Sequence, residues 1–268
     1  MLRRCRPLLG TFVEITADDV RAIDAAFAAI ERVHRLMSAH EPDSDVSRIN
    51  RLAHLQSVQV HEWTARVLER ALFWSKQSEG AFDILHAGKS AIEFSLLPRH
   101  SDQPAPEAAH WTWLEVQGSF VRLLKPGCID LGGIAKGFAV ERAIGELRLN
   151  GTDRALVNAG GDMAGIGDEW TAQIIDPNTR EPVFKVSLGN RALATSALID
   201  GAFRHLPGAD SRWISASVRA ASAMDADALT KVLLSGSPAV GRCLSLAGAE
   251  GLRIAADGSV ETSESLPA

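Results

Sequence analysis

The distribution of apolar residues predicts an α+β protein, and three observations carry that expectation. Short strand-like runs recur along the chain, several of them meet at tight turns, and helices interrupt them without the one-for-one alternation that a doubly wound parallel sheet requires. With 268 residues, 46% of them apolar, the chain has the material for a substantial core. One domain over 1–268 is expected. Its variant is two lobes joined near 98–110, because the one proline-rich polar stretch, PRHSDQPAP at 98–106, falls there.

The elements follow in order. GTFVEIT at 10–16 alternates apolar and polar residues, as a half-buried strand does. Val20, Ile23, Phe27, Ile30, Val33 and Met37 recur by threes and fours, so a helix with one apolar face is predicted there. Ser44 suits the N-cap of a short helical turn ending near Asn50, and a second helix is predicted over 63–76, closed by Gly80. Residues 111–116 and 120–124 flank a Gln-Gly turn and read as a hairpin. Lys125-Pro126-Gly127 then turns into a short predicted strand at 128–131. A helix starts within GGIAKG and runs towards Leu149, and 155–158 is a compact buried strand. The last third offers strands at 171–175, 183–188 and 213–218 and helices at 225–234 and 239–247.

Composition removes several classes of function. Against 33 acidic residues stand 28 basic ones, for a net charge of -5, so no broad basic field is available to nucleic acid. No apolar run approaches the roughly 20 residues that span a bilayer. Cys5, Cys128 and Cys243 are too few and too scattered for a disulfide framework or a metal knuckle, and they read as reduced, buried thiols. Arg3, Arg4 and Arg6 look like the charged start of an export signal, yet a strand follows without an apolar stretch or cleavage site. A cytoplasmic location is therefore expected for the chain as written, and a periplasmic one if the start site is truncated.

Three segments carry residues fit for chemistry. In IDLGGIAKGFAV, at 129–140, a strand ends in Asp130, Gly132 and Gly133 open a turn, and Lys136 stands on the first turn of a helix. Backbone amides, a helix start and an ammonium together suit a phosphate, although an ordinary strand-to-helix turn with a surface lysine has the same spacing. The second segment is ALVNAGGDMAGIG at 155–167, where Gly160 and Gly161 allow close backbone approach and Asp162 suits a turn or a ligand hydroxyl. The third is MDADALTKVLL, at 224–234, where Asp225 and Asp227 suit either helix capping or Mg²⁺, and Lys231 can pair with Asp227 one turn away.

Taken in order, LLGTFVEI, MSAHEPDSDVSRIN (37–50), GAFDI (80–84), IDLGGIAKGFAVERA (129–143), ALVNAGGDMAGIG, ALATS (192–196) and DADAL (225–229) resemble the FAD:protein FMN transferases. The resemblance implies a T-fold-related arrangement of mixed sheets and packed helices around a flavin cleft. It also implies FAD as donor, Mg²⁺ beside its pyrophosphate, and a Ser/Thr hydroxyl of a partner protein that attacks on the FMN side while AMP leaves. Carried over residue by residue, Leu9, His40, Ala81, Phe82, Asp83, Asp130, Gly132, Lys136, Gly160 and Gly161 contact the flavin nucleotide. Gly133, through its backbone oxygen, Asp227 and Thr230 face the metal, while Asp227 or His205 helps to take the proton.

Two positions depart from the family pattern. The metal-binding threonine usual four residues after the aspartate is Lys231 here, with Thr230 one step early. The His-Ile-Ile-Asp-Pro segment is shortened to His205 in RHLPGAD, and the similar string at 174–182 lies too early to replace it. Hydrolysis of FAD to FMN and AMP, and FAD binding without catalysis, stand as the alternative readings.

Overall fold

The computed structural model describes residues 1–93, 109–167, 170–197 and 212–263. A hairpin of β1 (Leu2–Leu8) and β2 (Thr11–Ala17) leads into the long helix α1 (Val20–Met37). Next come α2 (Asp45–Leu52), the short β3 (Val58–Gln59), α3 (Glu62–Gln77) and α4 (Ile84–Glu93). A 3-10 turn at Trp111–Trp113 opens the hairpin β4 (Leu114–Gln117) and β5 (Phe120–Leu123), after which α5 (Ala135–Leu149) begins. Then follow β6 (Ala155–Ala159), β7 (Asp162–Ile166), β8 (Thr171–Ile175), β9 (Pro182–Ser187), β10 (Ala192–Ala197) and β11 (Trp213–Ala220). The described chain closes with α6 (Ala223–Leu234), α7 (Val240–Ala247), β12 (Glu250–Ala255) and β13 (Val260–Thr262).

The architecture is α+β. Eight strands form one sheet in the order β1-β2-β6-β7-β10-β11-β12-β13, and each neighbouring pair is antiparallel. On β2 the pleat sends Val13, Ile15 and Ala17 inward, fully buried, and leaves Phe12 exposed. Ile23, Phe27, Ile30, Val33 and Met37 of α1 enter the same core, so the stripe read from the sequence is the packed face. Helix α5 packs on α1 and on α6, and the three lie against the large sheet. On β8 and β9, Ile174 and Val186 pack with Ile214, Leu252 and Ile254 of the large sheet. Strand β11 is consequently buried almost throughout. A separate three-stranded sheet, β3-β5-β4, adds Val58, Leu114, Val121 and Leu123 to the same core.

The predicted cap at Ser44 behaves as its chemistry requires. Ser44 Oγ accepts from Ser47 N at 3.0 Å and starts α2. Other predictions are corrected. Residues 128–131 form no strand: Ile129 N donates to Asn50 Oδ1 at 2.8 Å, and Asn50 Nδ2 donates to Ile129 O at 3.1 Å. One amide side chain thus supplies the donor and acceptor that a neighbouring strand would have offered.

Helix α6 begins before Asp225, because Ser222 Oγ accepts from Asp225 N at 3.1 Å, so both aspartates lie inside the helix. The three N-terminal arginines sit on β1, an edge strand, and bind Glu14, Asp24 and Glu31 at 2.5–3.0 Å. Cys5 on that strand is exposed, whereas Cys128 and Cys243 are buried, and all three are free thiols. The proline-rich stretch at 98–106 lies outside the described residues. Among those described, no helix is long and apolar enough to cross a membrane.

Candidate functional site

Helix α5 starts without a side-chain cap of its own, since Ile134 occupies the cap position. The Gly137 amide donates instead to Asp227 Oδ2, at 3.1 Å, so a carboxylate from α6 satisfies one free amide at the positive helix end. Only glycine permits this approach: a Cβ on Gly137 would lie 2.1 Å from the Ala223 carbonyl oxygen and 2.9 Å from Asp227 Cβ.

Two lysines complete the cluster. Lys136 makes a short ion pair with Asp162 at the start of β7, and its Nζ lies 4.0 Å from Asp227 Oδ1. Lys231, one turn beyond Asp227, pairs closely with the same Oδ1 and donates to the Asp227 carbonyl oxygen at 3.1 Å. Asp162 and Asp227 are 1% and 0% exposed, whereas the Lys136 side chain keeps 30% of its surface open and Lys231 16%. The carboxylates form the floor, and the two lysine side chains are the part that solvent reaches.

Burial and neighbouring charge together set the protonation of Asp162, Asp227 and Lys136. Burial pushes the Asp162 carboxyl up, nearby Asp227 adds to the effect, Lys136 opposes it, and the result is about 6. Burial acts on Asp227 in the same upward sense, but Lys136 and Lys231 outweigh it and hold that carboxyl below its ordinary range. Burial disfavours the Lys136 ammonium, yet Asp227 and Asp162 keep it charged well above the ordinary lysine range.

Several residues singled out in the sequence surround the quartet. Asp130 Oδ1 accepts from Gly132 N at 2.9 Å and shapes the glycine turn, and Asp130 N is held by the Ile84 carbonyl at 3.0 Å. Gly132 is exposed. A Cβ on Gly133 would lie 3.1 Å from Lys231 Cε and 3.5 Å from Phe82 Cε2, so Phe82, Gly133 and Lys231 face one another. Ala81 is half-buried next to Phe82. Asp83 is committed to backbone: its carboxylate accepts from Leu85 N at 2.9 Å, His86 N at 3.2 Å and Trp111 N at 2.9 Å.

On the β7 side, Gly160 and Gly161 turn with φ of +63° and +101° directly before Asp162. A Cβ on Gly160 would lie 2.5 Å from Thr11 Oγ1, which places the β1–β2 tip against this turn. That tip contains Leu9 at φ 57° and Gly10 at φ 71°, the left-handed pair of a two-residue hairpin. A leucine held there is strained, as residues at functional sites often are. His40 is exposed, its amide on Ser38 Oγ at 3.2 Å, and Ser47 of α2 ties the same turn through the Ala39 carbonyl at 3.1 Å.

The remaining candidates divide sharply. Thr230 is fully buried, donates to the Asp227 carbonyl at 2.7 Å and shares a 2.8 Å hydrogen bond with Ser196. Asp225 is held by Arg70 at 2.6 and 2.7 Å and by Trp74 Nε1 at 2.7 Å, beside a separate cavity of about 430 Å³ that contains no member of the quartet. His205 lies outside the described residues. Asn50, which clamps the backbone before the glycine turn, escaped the sequence reading, although it ends the stretch at 37–50.

Magnesium prefers octahedral oxygen at about 2.1 Å and keeps several waters. Asp227 Oδ1 is occupied by Lys231, Oδ2 by the Gly137 amide, and the Thr230 hydroxyl by the Asp227 carbonyl and Ser196. Among the described residues no group of three or more His, Cys, Asp or Glu is placed to hold a metal ion. In this arrangement Asp227 and Thr230 do not fit a divalent cation, which leaves the Gly133 carbonyl without the partners it would need to hold one.

A glycine turn leading into a helix start is a backbone arrangement that suits anionic groups, and at this corner of an α+β protein it stands beside two lysines, each paired with a buried carboxylate. The chain belongs to the ApbE family, whose profile it matches over residues 9–249. It is 26% identical over 237 residues to the FAD:protein FMN transferase of Treponema pallidum, covering 75% of this chain and 65% of that protein. It is 32% identical over 216 residues to the enzyme of the same name from Rhodobacter capsulatus, covering 70% of this chain and 40% of that one. The flavin transferase ApbE of Vibrio cholerae shares the fold with a TM-score of 0.83 and 22% identity, over 98% of this chain and 97% of that one.

Proposed function

We propose that this protein transfers FMN from FAD to a serine or threonine hydroxyl of a partner protein and releases AMP. Family membership and the names of the relatives support the reaction, and the geometry supports where it occurs. The observation that carries the assignment is the convergence of Lys136, Lys231 and the Gly132-Gly133 turn at the start of α5.

In such a transfer the acceptor oxygen forms a bond to the FMN-side phosphorus while the bridging P–O bond to AMP breaks. Positioning and charge neutralisation supply most of the acceleration. Lys136 and Lys231 oppose the charge of the pyrophosphate, and the backbone at exposed Gly132 and half-buried Gly133 lies close to its oxygens. Asp130 fixes that turn. Leu9, His40, Ala81, Phe82, Asp83, Gly160 and Gly161 bound the flavin side. Asp227 is kept ionised and orients both lysines; Asp227 and His205 are the candidates for taking the hydroxyl proton.

The test is incubation with FAD and an acceptor polypeptide, followed by flavin fluorescence of the denatured acceptor and chromatography of AMP. Equal yields of labelled acceptor and AMP are expected. AMP released at the same rate without acceptor would establish hydrolysis instead, and release of neither product would refute the reaction.

A further inference from the structure

The short pair between Lys231 and Asp227 has a consequence for the chemistry of the site. Lys231 Nζ is held by two oxygens of one residue, Asp227 Oδ1 and, at 3.1 Å, its carbonyl oxygen. The i, i+4 spacing on α6 keeps the ammonium over that carboxylate, and Gly133 leaves room for its methylene chain. Asp162 and Asp227 are matched in charge by Lys136 and Lys231, and Asp227 Oδ2 already accepts the Gly137 amide. A divalent ion would therefore have to displace a tethered ammonium from a buried carboxylate.

We propose that Lys231 is the resident cation of this site, holding the place on Asp227 that a divalent ion would need, so that FAD is bound and used without a metal. The inference rests on FAD being the ligand. Atomic balance of the transfer is unaffected, because the ammonium contributes charge and hydrogen bonds and neither gains nor loses a bond to phosphorus. Lys231 thereby becomes a substrate-facing residue of the reaction, and Gly133 the residue that lets it reach that position.

Calorimetric titration of the full chain with FAD, in EDTA and then in excess Mg²⁺, tests this directly. The wild type is expected to bind equally in both, within about twofold. Lys231→Thr should lose affinity by about tenfold or more in EDTA, the loss of one charge-assisted contact, and recover it in Mg²⁺. Lys231→Arg keeps a cation and should show no such recovery. A lysine with a merely structural role would not switch metal dependence on, and thermal unfolding of each variant separates misfolding from lost binding. Wild-type binding that collapses in EDTA and returns with Mg²⁺ would overturn the proposal while leaving the FAD reading intact. Absence of FAD binding in both media would refute that reading itself.

Discussion

At the residue scale the site is two buried carboxylates held against two lysines. Replacing Lys136 by methionine removes one ammonium facing the proposed pyrophosphate, and charge-assisted hydrogen bonds contribute about 1.5–3 kcal/mol each. FAD affinity is therefore expected to fall by roughly ten- to a hundredfold, read by titration; an unchanged affinity would show that the phosphates bind elsewhere. Asp162 gives a pH dependence. Its carboxyl is pushed up to about 6, mainly by burial, so it gains a proton as pH falls through that value and ceases to offset Lys136. FAD should then bind more tightly at pH 5 than at pH 7.5, and Asp162→Asn should flatten the curve at its tight end. Weaker binding in acid would contradict this. Asp227 works oppositely for stability: its carboxyl is held low, so its contribution is present above the ordinary carboxylate range and lost as pH falls through the folded value. Lys136, Asp227 and the Lys231–Asp227 pair were legible in the sequence, because each stands beside a local signature. The pairing of Lys136 with Asp162 was not, since their separation of 26 residues is closed only by the packing of α5 against β7.

At the scale of elements, the contact of α5 with α6 positions the chemistry, and glycine controls it. Gly137→Ala would place a Cβ 2.1 Å from the Ala223 carbonyl, and Gly88→Ala would place one 2.1 Å from the Cys128 carbonyl, behind the glycine turn. Each is expected to destabilise by about 1–3 kcal/mol or more, as overpacking does. Gly145, also on α5, has open space where a Cβ would stand, with nothing within 4 Å, so Gly145→Ala should be neutral or stabilising by up to about 1 kcal/mol. Denaturant unfolding of the three variants checks the ordering, and equal stabilities would mean that neither close approach, α5 on α6 nor α4 on the backbone at Cys128, exists. The same elements show what local pattern can reveal. Helix α1 was legible because one face is buried and the other wet. Helix α6 is buried nearly all round, so its start is marked only by Ser222. The run at 128–131 has a strand's composition, but Asn50 satisfies its backbone, and strand β1 was hidden by the arginines that an exposed edge tolerates.

For the whole molecule, sheet order joins the parts. Strand β6 lies between β2 and β7, so the Leu9–Gly10 tip and the Gly160–Gly161 turn become neighbours, and Asp162 leaves that turn towards Lys136. The α+β class followed from short strand-like runs that meet at tight turns and are interrupted by helices without one-for-one alternation. That juxtaposition depends on pairing between strands far apart in sequence, which no local motif encodes. A crystal structure of the protein with FAD bears most directly on the site. The pyrophosphate should lie within hydrogen-bonding distance of Lys136 Nζ and Lys231 Nζ, against the backbone of Gly132 and Gly133. Phosphates found elsewhere, for instance in the 430 Å³ cavity beside Arg70 and Asp225, with the glycine corner free of ligand, would contradict it.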